Sequence, residues 1–135
     1  MSDRCYLEIT LKSAHLADLH DVTEIEFDDL ECVRDSGEGY VTATCYDADA
    51  GWYFPLHDLA ARGVPFFGAN GPGDEYGPSE FCGVDGSFFD AMAAHGVDGI
   101  VVPIDEHTGE PSRADLDAAR TFLEARSRAR AAVLS

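Results

Sequence analysis

The sequence holds five histidines and four cysteines, the side chains best suited to metal binding and nucleophilic catalysis. His15 and His20 stand five residues apart, which on a helix turns their rings about 140° away from each other. Helical metalloprotease sites place two histidines four residues apart with a glutamate beside the first, and neither condition holds here. No two cysteines form a CxxC pair, which argues against a zinc ribbon or a thioredoxin-type redox site. We therefore expect reduced, structural thiols and no metal, with an enzyme that pairs Cys82 with a histidine as an alternative.

Two loops share features with ligand-binding motifs but lack essential residues. The stretch DADAG (47–51) supplies Asp47 and Asp49 as the first ligands of an EF-hand, yet Trp52 stands where that loop needs glycine. The Gly-rich stretch 68–80 has no GxGxxG or GxxxxGK[ST] pattern, and its acidic residues would repel phosphate. We expect a strand-end turn in the first case and a loop shaped by glycines in the second, with no cofactor bound by either.

The densest row of carboxylates lies within residues 18–38, which carry nine acidic side chains. Glu24, Glu26 and Asp28 alternate with other residues, and on a strand they would project from one face at intervals of about 6.6–6.8 Å. Duplex DNA presents one negative charge per about 1.7 Å of its axis, and its binding proteins match that charge with arginine and lysine. This face is either the solvated side of a sheet or a surface that imitates a nucleic acid. Because no lysine is interleaved with the carboxylates, we favour the second interpretation.

The acidity extends over most of the chain. Its 135 residues carry 26 Asp and Glu against nine Lys and Arg, a formal net charge of −17. Residues 1–110 hold 23 acidic and four basic side chains, or −19, whereas residues 111–135 hold three and five, or +2. This balance argues against direct binding to nucleic acid or to an anionic membrane. Two explanations remain: a cytoplasmic protein adapted to high salt, or an acidic surface that recognises a basic partner.

The remaining sequence signals place the protein in the cytoplasm. No apolar run approaches the length of about 18 residues that a membrane-spanning helix needs. The first 15 residues lack the basic region and the apolar region of a signal peptide.

Hydrophobic periodicity predicts the elements that position these side chains. Strands are predicted over 5–11, 22–34, 40–46, 64–67 and 99–104, with a brief strand near 81–86. Helices are predicted over 14–21, 55–62, 87–96 and 112–133. Ser13 and Ser112 are the expected N-caps of the first and last helices. The order predicts one α+β domain, in which a mostly antiparallel sheet of four to six strands has its helices packed on one face.

The last predicted helix is the only basic segment of the chain. Its Arg126, Arg128 and Arg130 fall in the later turns, where cations suit the helix dipole. We expect these arginines to stabilise the helix and to meet carboxylates of the acidic body or of a second subunit.

Residues 63–83, GVPFFGANGPGDEYGPSEFCG, resemble short acidic proteins encoded on phages and other mobile elements, mainly through EYGP at 75–78. Proteins of that kind include anti-CRISPR and antirestriction inhibitors, several of which act as DNA mimics. The resemblance points to no specific family and brings no catalytic residues. It implies an interaction protein rather than an enzyme.

We therefore expect a small acidic inhibitor that occupies the basic nucleic-acid-binding groove of a partner protein, without a cofactor and without contact to nucleic acid or membrane. The alternatives are a halophilic protein of metabolic or stress role, a small Cys- or metal-dependent enzyme, and, for assembly, a homodimer. The residues expected to meet the partner are Asp18, Asp21, Glu24, Glu26, Asp28, Asp29, Glu31, Asp74, Glu75 and Tyr76.

Overall fold

The computed structural model describes residues 4–23, 32–49, 53–71, 78–93 and 99–135. Within these ranges the chain forms six strands and three helices. The strands are β1 Arg4–Lys12, β2 Cys32–Asp35, β3 Tyr40–Asp49, β4 Phe66–Asn70, β5 Ser79–Val84 and β6 Ser87–Met92. The helices are α1 Leu16–Thr23, which follows a 3₁₀ turn at Ser13–His15, α2 Tyr53–Ala61 and α3 Arg113–Leu134.

The six strands make one antiparallel sheet in the order β2-β3-β1-β4-β5-β6. The first strand of the chain therefore lies inside the sheet, between β3 and β4. The predicted α+β class and the mostly antiparallel sheet of four to six strands are confirmed.

Helices cover both faces of this sheet, because successive strand residues point to opposite sides. Phe81 belongs to the buried cluster that contains Leu56 and Leu59 of α2, whereas the next residue, Cys82, belongs to the cluster that contains Phe122 of α3. The prediction that all helices pack on one face is therefore wrong. Among the described residues, the sheet contributes apolar side chains to this second face from β4, β5 and β6, and Ile100 packs against them.

The face covered by α1 and α2 has a close-packed core in which two glycines make room for two phenyl rings. In the β4–β5 register, Phe66 pairs with Gly83 and Gly68 pairs with Phe81. A Cβ added at Gly83 would meet the Phe66 ring, and one added at Gly68 would meet the Phe81 ring and the Glu8 carbonyl. Each ring thus occupies space that a side chain on the opposite strand would need.

The face covered by α3 buries the helix residues Phe122, Ala125 and Ala129 against Cys82 and Val84 of β5. The helix begins where the sequence predicts, since the Ser112 hydroxyl accepts a hydrogen bond of 3.1 Å from the Asp115 amide. The small alanine side chains let the helix approach the sheet closely.

Strand β6 replaces the helix predicted over 87–96. Asp85 and Gly86 have φ angles of 56° and 78°, a two-residue turn that joins β5 to β6 as a hairpin. Phe88 packs against the cluster beneath α2 and Phe89 against the cluster beneath α3, so consecutive apolar residues are both half-buried. A strand with apolar residues on both faces lacks the alternation of apolar and polar residues that identifies a strand. Its apolar run therefore fits the pattern of a helix.

Three further predictions need correction. Ser13 lies in the 3₁₀ turn and does not cap a helix; Lys12 holds the N-cap position without a side-chain hydrogen bond. Residues 22–23 belong to α1 and not to a strand, while 24–31 lie outside the described residues. The strand predicted over 99–104 is reduced to one bridge between Ala93 and Ile100, because Pro103 has no amide with which to continue it.

Candidate functional site

Two of the residues predicted to meet a partner, Asp18 and Asp21, lie on α1 beside a basic residue. Arg62, just beyond α2, places one guanidinium nitrogen 2.8 Å from Asp21 Oδ2 and 3.7 Å from Asp18 Oδ1. The His15 ring also lies 3.0 Å from the Asp18 carboxylate. These carboxylates thus help to join the two helices, while the Asp21 side chain remains 67% exposed. The strand face for which the sequence shows no interleaved lysine, with Glu24, Glu26 and Asp28, lies outside the described residues.

The other predicted partner residues lie outside the described residues. They are Glu24, Glu26, Asp28, Asp29, Glu31, Asp74, Glu75 and Tyr76.

Three arginines in the later turns of α3 contact the rest of the fold. Arg126 Nη1 lies 2.6 Å from Glu80 Oε1, with each side chain 19% exposed. Arg128 Nε lies 3.0 Å from Asp85 Oδ2 at the β5–β6 turn. The Arg130 guanidinium lies 5.4 Å from the centre of the Phe67 ring. The expectation that these arginines meet carboxylates of the body is confirmed for Arg126 and Arg128.

Exposed carboxylates are present in several separate surface segments that the structure describes. They lie on the β2–β3 turn, on α2, on β6, in the turn before α3 and on α3 itself. Among the described residues, the exposed acidic side chains outside the arginine ion pairs are Asp35, Glu38, Asp58, Asp90, Asp105, Glu106, Glu110, Asp115 and Glu124.

Sequence reasoning missed the acidic segment 105–117. It contains five carboxylates and one base, Arg113, whose Nε lies 3.3 Å from Asp117 Oδ1. Asp105 Oδ1 accepts the amide of His107 at 2.7 Å, which closes the turn, while Glu106 and Glu110 are exposed. A window count of charge along the sequence would have found this segment.

Cys82 is unsuited to act as a nucleophile. Its side chain is fully buried, and burial raises the pKa of the thiol from 9.0 to about 11, although the nearby Arg126 and Arg128 charges lower it. The reactive form of cysteine is the thiolate, which this environment disfavours. In the described parts of the chain, no group of three or more His, Cys, Asp or Glu side chains is arranged to hold a metal ion.

Comparison with family models, with curated proteins and with solved structures finds no match to this chain. No helix among the described residues combines the length and the apolar character needed to cross a membrane. The functional argument therefore depends on the charges and contacts of the described residues.

Proposed function

We propose that this protein is a small acidic inhibitor that binds the basic nucleic-acid-binding groove of a partner protein and blocks it by imitating nucleic acid. The proposed partner surface comprises Asp18 and Asp21 with the acidic stretch 24–31 and Asp74, Glu75 and Tyr76. Such an inhibitor needs no cofactor, and a cytoplasmic location suits a partner that handles nucleic acid.

The observation that supports this proposal most directly is that basic side chains pair with carboxylates of the same chain. Arg62, Arg113, Arg126 and Arg128 each contact a carboxylate of the same chain. With 26 acidic and nine basic side chains, pairing every base with one carboxylate would still leave 17 carboxylates over. Among the described residues, nine carboxylates outside the arginine pairs are exposed, and a basic groove would attract their charge.

Electrostatic steering explains how such a surface competes with DNA. Complementary charge raises association rates toward about 10⁸–10⁹ M⁻¹s⁻¹ at low salt, and the enhancement declines as salt screens the charges. A DNA-binding groove already holds arginine and lysine at the positions of phosphates. Carboxylates held on a folded domain can pair with the same arginine and lysine side chains. Because the domain is already folded, binding does not incur the entropy cost of ordering a flexible chain.

Displacement of DNA from purified nucleic-acid-processing proteins of the source organism tests this function. Fluorescence anisotropy of a labelled duplex would fall as the acidic protein is added, and the effect would weaken steeply with rising salt. If none of these proteins binds at low salt or releases its duplex, the proposal is wrong.

Two variants with the same change of charge locate the surface. The first replaces Glu24, Glu26, Asp28, Asp29 and Glu31 with Gln or Asn. The second makes the corresponding change at the five carboxylates of the 105–117 segment. We expect the first variant to lose competition by at least tenfold and the second to stay close to the parent. Equal losses in both would show that total charge acts rather than a defined surface.

Salt adaptation is the second candidate, and the distribution of carboxylates favours it. Exposed acidic residues lie on several separate segments among the described residues rather than in one band. Carboxylates spread over several segments, with one lysine among nine basic residues, suit a cytoplasm of high ionic strength. The two candidate functions predict different stability in dilute buffer: a salt-adapted protein should unfold there, whereas a nucleic-acid mimic should stay folded.

A further inference from the structure

The arginine on β2 differs from those that pair with carboxylates. Among the described residues, Arg34 has no ion pair, and its side chain is exposed. Arg34 lies opposite Thr42 of β3, which in turn lies opposite Thr10 of β1. The hydroxyl oxygens of the two threonines are 3.0 Å apart. Because opposite residues of an antiparallel pair project from the same face, these three side chains form a row across three strands.

The row continues onto β4, where it reaches a second arginine. Thr10 lies opposite Phe67, and the Arg130 guanidinium lies 5.4 Å from the centre of the Phe67 ring. Neighbouring strands are about 4.8 Å apart, so about 14 Å separates the backbone of Arg34 from that of Phe67. Both guanidinium groups therefore lie within one long side chain of the two hydroxyls between them.

A third cation lies beside this row. Lys12 follows Thr10 by two residues on the same face of β1, about 6.8 Å along the strand. Its Nζ donates a hydrogen bond of 3.1 Å to the Ser135 carbonyl, which leaves ammonium hydrogens for another acceptor. Glu8, two residues before Thr10, places a half-buried carboxylate on the same face. Three cations and this one carboxylate make the described surroundings of the hydroxyl pair locally positive, in a chain of net charge −17.

The hydroxyl pair has one hydrogen left to donate, because one threonine donates to the other and the acceptor keeps its own hydrogen. Within the described residues, neither hydroxyl makes a further hydrogen bond. Thr10 is 7% exposed, whereas Thr42 is half-buried, so Thr42 is the hydroxyl that can donate to a ligand. Helix α3 packs mainly on β4, β5 and β6, and its main contacts do not include β3 and β2, which carry Thr42 and Arg34.

We propose that this row binds a phosphate group, either free or in a small phosphate monoester. The planar Arg34 guanidinium donates two parallel hydrogen bonds to two phosphate oxygens, and the Thr42 hydroxyl donates to a third. Lys12 and Arg130 add positive charge. A carboxylate fits less well because its two oxygens would be taken by the guanidinium alone, and the net charge of −17 repels a long polyanion. This inference does not rest on the proposed function, since the row lies on the α3 face of the sheet and α1 packs on the opposite face.

The test titrates the isotope-labelled full chain with inorganic phosphate and follows its NMR signals, with sodium chloride added to hold the ionic strength constant. We expect saturable shifts centred on Thr10, Arg34 and Thr42, with a dissociation constant in the millimolar range. Glycerol phosphate, added separately, distinguishes the two sources: tighter binding than inorganic phosphate indicates a monoester, and equal or weaker binding indicates free phosphate. Glycerol alone should cause no shifts. Shifts centred elsewhere, or shifts that do not saturate, would overturn the proposal.

Variants separate direct hydrogen bonding from total charge. Arg34→Gln should weaken phosphate binding about tenfold or more, as expected for loss of hydrogen bonds between charged groups. Arg34→Lys keeps the charge but not the paired donors, so its affinity should lie between those of the parent and Arg34→Gln. Thr42→Val removes the hydroxyl and should also weaken binding.

The matched control is Arg120→Gln, the same change of charge at an exposed arginine of α3 that has no ion pair among the described residues. It should bind phosphate as the parent does. Equal weakening by Arg34→Gln and Arg120→Gln would show that total charge acts and would overturn the site. If Thr42→Val fails to fold, the two arginine positions still decide the outcome.

Discussion

At the scale of single residues, close packing and burial determine which side chains can be replaced. Gly83 and Phe66 share one space between neighbouring strands, and the phenyl ring fills it. Cys82, the next residue back along β5, points to the other face and is fully buried. Substitutions at Gly83 and at Cys82 therefore test the packing of opposite faces of the sheet.

Replacement of Gly83 by alanine should lower the free energy of unfolding by about 1–3 kcal/mol, because the added methyl group forces the Phe66 ring to move. Chemical denaturation measures this change. The double variant Gly83→Ala with Phe66→Leu should recover part of the loss, since the smaller side chain vacates the space. Additive losses in the double variant would contradict a shared space.

The buried Cys82 thiol should make stability depend on pH in the alkaline range. Burial raises the pKa of the thiol from 9.0 to about 11, so the unfolded chain releases this proton at a lower pH than the folded one. The resulting contribution to stability is complete below pH 9 and is lost as pH rises toward 11. Unfolding of Cys82→Ala, measured over the same range, should show a shallower decline, and parallel curves would contradict the raised pKa.

At the scale of elements, α3 is held to the sheet by one shielded ion pair and one exposed ion pair. The Arg126–Glu80 pair is 19% exposed on each side, whereas the Arg128 and Asp85 side chains are 51% and 68% exposed. Water screens the second pair far more than the first.

Removal of Arg126 should therefore cost more than removal of Arg128. We expect Arg126→Ala to lower the free energy of unfolding by about 1.5–3 kcal/mol, the range for hydrogen bonds to charged groups. Arg128→Ala should cost about 0.2–1 kcal/mol. A double-mutant cycle with Glu80→Ala isolates the first pair, and equal effects of the two arginine variants would refute this ranking.

The elements also show how far the sequence alone could predict this fold. Strand β1 alternates apolar and polar residues, so its face and its limits are predictable. Helix α3 has a Ser112 cap and an apolar stripe, and it begins within one residue of the prediction. Strand β6 packs apolar side chains against both helix layers and carries no such alternation, so recognising it as a strand depends on the turn at Asp85 and Gly86. The pairing of Arg126 with Glu80 and of Arg128 with Asp85 depends on how α3 lies on the sheet, which hydrophobic periodicity alone does not predict.

At the scale of the whole molecule, the net charge of −17 opposes compaction, and salt screens that repulsion. The Debye length falls from about 10 Å at 0.1 M salt to about 3 Å at 1 M, shorter than most distances between surface charges. Ion pairs such as Arg62–Asp21 and Arg126–Glu80 offset part of the repulsion within the fold.

We expect the protein to stay folded in dilute buffer and to gain about 1 kcal/mol of stability in 1 M salt, a rise in Tm of about 4 °C. Circular dichroism during heating at several salt concentrations measures this. Unfolding in dilute buffer with recovery at molar salt would support salt adaptation and count against a mimic that acts at low salt. Potassium chloride and sodium chloride should give the same result, because screening depends on ionic strength.

The internal position of β1 has a consequence for how the chain folds. The β2–β3 hairpin and the β4–β5–β6 meander each form from neighbouring segments, and β1 joins the two by pairing with β3 and β4. Contacts between neighbouring segments form quickly, whereas pairing of β1 with β3 and β4 closes longer loops and is slower. Cooperativity between the two halves therefore depends on the N-terminal strand. In synthesis from the N-terminus, β1 emerges first and cannot complete the sheet until β4 has followed.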